Sequence, residues 1–190
     1  MPATLHVLHT GYVRDDGVAS TVSLVLDGEA VIVVDPGMVA DRALLIGPLR
    51  EQGLGPEQVT QVVMTHHHPD HGINVGLFPN AEVVDFWARY RGDQWLDHEG
   101  EGHQVSEHGR LILTPGHTAE DLTLLVETDA GVVACTHAWW HEDRSPQVDP
   151  VAEDQSALDA SRARILAEAD IVIPGHGGPF APGRGQAPVR

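Results

Sequence analysis

Six consecutive residues, His66-His67-His68-Pro69-Asp70-His71, hold more metal-ligating side chains than a turn of that length ordinarily carries. They follow the apolar run QVVMT, so they stand where a strand ends and a helix begins. Residues at i and i+2 of extended backbone project alike, so His66 and His68 can grip one ion. Asp70 and His71, past the turn, can face a neighbouring one, while His67 points elsewhere. Taken alone, an HxH is more often a polar turn than a metal site. Two further apolar runs end in the same fashion, however: RLILTPGHT at His117 and DIVIPGHGG at His176. A shared metal centre explains all three strand ends better than three coincidences do.

The chemistry of such a centre is hydrolytic. Lewis-acidic ions lower the pKa of water towards neutrality, and the hydroxide so generated attacks a carbonyl or phosphoryl centre. Asp70 is then the residue to orient the nucleophile and pass a proton to the leaving group. No GxSxG elbow supports serine chemistry, and the single cysteine, Cys135, excludes an intramolecular disulfide.

The elements that must position these side chains follow from periodicity. Strands are expected at about 4–9, 20–26, 30–34 and 61–65, then near 82–85, 110–114, 122–127, 131–136 and 170–173. A helix over VADRALLIGPLREQG should kink or end at Gly47-Pro48, and a second should start at His71 and cover GINVGLF. A third, amphipathic helix is expected from Asp149, as cap, and Pro150, in the first turn, with Leu158, Ser161, Ile165 and Leu166 on one face. Strands in a meander, then strands alternating with helices in both halves, predict two packed sheets with helices outside. The whole chain, 1–190, reads as one domain, with a frayed Gly/Pro-rich tail at about 181–190.

With these motifs in place, VVDPG at 33–37, THHHPDHG, TPGHT and IPGHGG resemble, in order and spacing, the successive motifs of the metallo-β-lactamase superfamily. That resemblance implies a four-layer αββα sandwich with a dinuclear centre, zinc first and manganese or iron as alternatives. His66, His68 and His117 would hold one ion, and Asp70, His71 and His176 the other. Asp35 would orient a ligand rather than bind metal. Family members usually place a bridging aspartate after the next strand, where this chain reads GVVACTHAWWHED. His137 is expected to take its place as a metal ligand, with Cys135 or neither as the alternatives; for Cys135, burial as a small apolar residue is the commoner fate. The segments HGINVGLFPNAEVV, GEGHQV and ADIVIPGHGGPF are similar to the metallo-β-lactamase-domain-containing protein 1 group, which implies a ribonuclease-like phosphodiesterase as one alternative. A mononuclear iron dioxygenase is another. Within these 190 residues, neither an extra nucleic-acid domain nor a helical glutathione-binding domain is expected.

Composition bounds the partners. A formal net charge of −17 repels a phosphate backbone, so nucleic acid is disfavoured and a small molecule is the expected substrate. Without a leader-like start or a long apolar run, the expected location is the cytoplasm, with no membrane partner. Trp87, Tyr90 and Trp95 are expected to pack in the core, as are Trp139 and Trp140 unless they line the pocket rim; any exposed aromatics would leave room for a homodimer. His6, His9, His98, His103, His108 and His141 have no ligand context and are read as surface or satisfied histidines.

Overall fold

The computed structural model describes residues 1–183, so most of the tail expected at 181–190 lies outside the described residues. The first half contributes β1 (Thr4–His9), β2 (Tyr12–Arg14), β3 (Gly17–Ala19), β4 (Val22–Asp27), β5 (Ala30–Val34), α1 (Ala43–Glu51), β6 (Gln61–Val63), α2 (Pro69–Gly72), β7 (Glu82–Val84), β8 (Arg89–Arg91) and β9 (Gln94–Leu96). The second half contributes β10 (Gly109–Leu113), β11 (Leu122–Thr128), β12 (Gly131–Cys135), α3 (Gln155–Glu168) and β13 (Ile171–Ile173). Seven strands form one sheet in the order β1-β4-β5-β6-β7-β8-β9, and four form another, β10-β11-β12-β13. β2 and β3 make a separate small hairpin.

Alternation along the strands builds four layers. Val25, Ile32, Val34, Val63 and Val84 of the larger sheet meet Leu111, Leu124, Val126, Val133, Cys135 and Ile173 of the smaller one in a central core. The opposite faces carry the intervening residues. Leu24, Val33 and Val62 pack on Leu45 and Leu49 of α1, and Ile112, Leu125, Ala134 and Val172 pack on Leu158 and Ile165 of α3. Leu158 and Ile165 are both fully buried, and burying such side chains contributes roughly 1.5–3 kcal/mol each. The expected αββα sandwich is the observed architecture. Because helices cover both outer faces, β5 and β12 can be apolar nearly throughout and pair in parallel with β6 and β13.

Several boundaries differ from the sequence expectation. α1 runs through Gly47 and Pro48 and ends at Glu51, just before Gly53 with φ of 77°. α2 begins at Pro69, whose fixed φ suits a first helical position, and stops after one turn. GINVGLF then forms a separate 3-10 turn at Val75–Leu77. α3 begins not at Pro150 but at Gln155, because Asp154 accepts a cap bond from the Ala157 amide at 3.0 Å. Trp87, in the bend between β7 and β8, and Trp95, on the edge strand β9, are 55% and 63% exposed rather than buried. No helix among the described residues is long and apolar enough to cross a membrane.

Candidate metal centre

Strand direction gathers the ligand candidates at one edge of the sandwich. β5 and β6 run parallel, and so do β12 and β13, while two antiparallel pairings through β11 bring β10 into the same sense as β12. Asp35, the 66–71 segment, His117, His137 and His176 each follow the carboxyl end of one of these strands. The two halves are stitched there by the Leu122 amide donating to the Thr65 carbonyl at 2.8 Å and the Thr21 amide donating to the Gly175 carbonyl at 2.7 Å. Gly37 belongs to this edge for a steric reason. A Cβ there would lie 1.6 Å from the Asp70 carbonyl oxygen, so only glycine lets the two loops meet.

The side chains converge in two groups. Nδ1 of His68 lies 3.1 Å from Nε2 of His66 and 3.0 Å from Nε2 of His117. Two lone pairs cannot face each other at that separation, so a proton or a cation must lie between them. Nitrogens about 2.0–2.1 Å from a tetrahedral zinc would stand roughly 3.3 Å apart, close to what is seen. Oδ2 of Asp70 lies 3.6 Å from Nε2 of His71 and 3.5 Å from Nε2 of His176, a comparable spacing. His137 sits between the groups. Its ligand atom lies within 4.8 Å of those of His66 and His117, and also of those of His71 and His176. Cys135 is instead buried in the central core, where burial pushes its thiol up to about 12. Asp27, Glu107 and His108 also cluster, but hydrogen bonds from the His108 amide and Nδ1 to Asp27 at 2.7 and 2.8 Å account for that group.

Partners behind these histidines select their tautomers. Nδ1 of His71 donates to Oδ2 of Asp35 at 2.9 Å, and Nδ1 of His117 donates to Oδ2 of Asp149 at 2.8 Å. Nδ1 of His176 donates to the Ala19 carbonyl at 2.9 Å. Nδ1 of His66 meets the Thr65 hydroxyl at 3.0 Å, and that hydroxyl itself donates to Asp35 at 2.7 Å. With Nδ1 so engaged, Nε2 of each ring carries a lone pair into the site. Asp35 therefore stands where an orienting residue was expected. It holds φ at 49°, which spends backbone strain on placing both carboxylate oxygens under Thr65 and His71.

Electrostatics favour the neutral form of these rings, the form able to bind a metal. Burial first, and then the neighbouring imidazoles, push His66 and His137 well below the ordinary histidine range. The same causes lower His68 and bring His176 to about 4. Nε2 of His71 and Nδ1 of His137 are buried without a hydrogen-bond partner, a costly state for polar atoms that an ion would relieve at His71. The donor set of imidazoles and one carboxylate fits a divalent transition metal.

Two features escaped the sequence reading. Asp149, expected as a helix cap, instead accepts from His117 and from the indole Nε1 of Trp140 at 3.1 Å, so Trp140 supports the site while Trp139 is buried beside Phe180. His67 points away from the cluster but is not idle. Its Nε2 meets Asp85 at 2.9 Å and its Nδ1 meets Glu120 at 2.7 Å, and chiefly the Asp85 bond raises it to about 9. The imidazolium thus ties the ligand loop to the ends of both sheets.

Comparison with known proteins fits this arrangement. The profile described as Metallo-beta-lactamase superfamily matches residues 15–178. Metallo-beta-lactamase domain-containing protein 1 of Xenopus laevis is 35% identical, over 94% of this chain and 82% of its own length. The N-acyl homoserine lactonase of Bacillus cereus is 27% identical, over 72% of this chain and 62% of its own length. Among solved structures, an N-acyl homoserine lactone hydrolase with N-hexanoyl-L-homoserine at its catalytic metal centre superposes with a TM-score of 0.67 at 18% identity, covering 93% of each chain.

Proposed function

The chain belongs to the metallo-beta-lactamase superfamily, and on that footing we propose that it is a metal-dependent hydrolase of small carboxylic esters, lactones first among them. The observation that carries this reading is the convergence of His66, His68 and His117, and of Asp70, His71 and His176, each imidazole bar His68 with its Nδ1 already committed to a partner. One or two divalent ions, zinc in the first instance, would be held by these residues. Such ions supply Lewis acidity, which activates water and polarises the bond to be cleaved.

The chain's own residues do the rest. Asp70, partly exposed at the rim, holds a carboxylate where it can take a proton from the attacking water and return it to the leaving oxygen. Asp35 and Asp149 keep the His71 and His117 rings in one orientation, so the site needs no rearrangement as charge develops. The likeness to a lactonase supports the lactone, and the net charge of −17 disfavours a long polyanion such as RNA.

The test is a purified, metal-supplemented preparation assayed on homoserine lactones, aryl esters, thioesters and a phosphodiester, with elemental analysis alongside. Lactone or ester turnover that chelation abolishes and zinc or manganese restores is the expected result. Turnover of the phosphodiester alone, or oxygen uptake with bound iron, overturns it.

A further inference from the structure

The residue at the middle of the cluster breaks its symmetry. His137 follows β12 and is 3% exposed, with ring centroids 4.2 Å from His117, 4.5 Å from His66, 4.6 Å from His71 and 5.0 Å from His176. It therefore belongs geometrically to both groups of ligands. An imidazole has only two nitrogens, however, and one of these is closed off. Nδ1 is buried, has no hydrogen-bond partner, and lies against Gly175, where an added Cβ would come within 1.9 Å of it. That leaves Nε2 as a single lone pair for two prospective ions. A neutral ring also adds no negative charge to hold two dications together, as a shared carboxylate would.

We propose that His137 ligates one ion only, through Nε2, closing the His66, His68 and His117 site with a fourth imidazole and leaving Asp70, His71 and His176 as an open, weaker site. The shorter approaches to His117 and His66 favour that side. The resulting pair is one closed four-nitrogen site and one three-ligand site with free positions, the division that separates holding a metal from reacting at it. The same asymmetry puts the partly exposed Asp70 carboxylate at the open site. This rests on the hydrolase reading only for the presence of a divalent ion.

Calorimetric titration of the metal-free protein with zinc, and visible spectroscopy with cobalt in its place, test it without reference to turnover. Two steps are expected, the second at least about tenfold weaker. The first should show the intense bands of four-coordinate cobalt and the second only faint ones. His137→Ala should weaken the first step by at least about tenfold, shift its intense bands as water replaces one imidazole, and leave the second step in place. His137→Asp should draw the two steps together by restoring a shared carboxylate, and His137→Gln, nearer the imidazole in volume, checks by its melting curve that the fold survives. Two equal steps in the unaltered protein, or a His137→Ala variant that loses only the second step or neither, overturns the proposal. A protein that shows both expected steps but hydrolyses nothing overturns the hydrolase reading and leaves this one standing.

Discussion

Each histidine's role is decided by what stands behind it. Asp149 fixes the His117 ring, and such outer partners typically carry about 10–100-fold of metal affinity. Asp149→Asn keeps the shape but turns an acceptor of two donors into an amide, so metal titration should show a loss of that order. His68→Ala and His117→Ala should each remove an ion from the elemental analysis. His67→Ala should keep the full metal count, since its ring is turned towards Asp85 and Glu120, yet lower the denaturation midpoint. That loss should be no more than about 1 kcal/mol, because the ring is 39% exposed and solvent screens the pairs. The residues that converge here were legible in the sequence because His66, His117 and His176 each close an apolar run, with His68, Asp70 and His71 in the turn that follows the first. Asp149 was not, because Asp-Pro before a helix is also the signature of a cap, and only the folded chain shows that Asp154 already does that job.

The long elements were legible for the same kind of reason. Apolar runs such as VSLVLD and AVIVV have no other stable place than a covered sheet, and they formed strands within a residue or two of expectation. The strands β2, β3, β8 and β9 were missed, since YVR, GVA, RYR and QWL lack the apolar run that marks the equally short β6, β7 and β13, and with them went the expectation that Trp87 and Trp95 are buried. α3 shows how an element is tied to its sheet by charge as well as by apolar contact. Arg164 reaches Glu101 at 2.7 Å and Glu168 at 3.1 Å, Arg110 reaches Glu168 at 2.6 Å, and Glu101 accepts the Leu113 amide at 3.0 Å. Arg164 lowers Glu101 and Arg110 lowers Glu168, in each case against burial. Carboxylates depressed in the folded state stabilise it above their unfolded pKa, and that contribution is lost as pH falls through the folded value. Glu101→Gln should thus cost up to about 1 kcal/mol at pH 7, a cost that shrinks below roughly pH 4.5 and in high salt. Urea unfolding of both proteins at the two pH values is the check; an equal difference at both would mean the carboxylate charge contributes nothing.

At the scale of the molecule, each prospective metal site takes two ligands from the loop after β6 and one strand-end histidine from the smaller sheet. An ion at either site therefore bridges the halves, and at about a thousand times its dissociation constant would stabilise the fold by roughly 4 kcal/mol. Chelation should lower the melting temperature accordingly, and zinc should restore it. The same division of ligands fixes an order of events in time. Neither half alone can offer one site more than two of its three outer ligands, so no ion is firmly held until the sheets have already docked. On the proposed ligand set, metal capture would then be the last step of maturation rather than its nucleus. Chelator added to a refolding reaction should leave the folding rate unchanged, while the same chelator should hasten unfolding of the loaded protein, because the ion is a contact made after the transition state has passed.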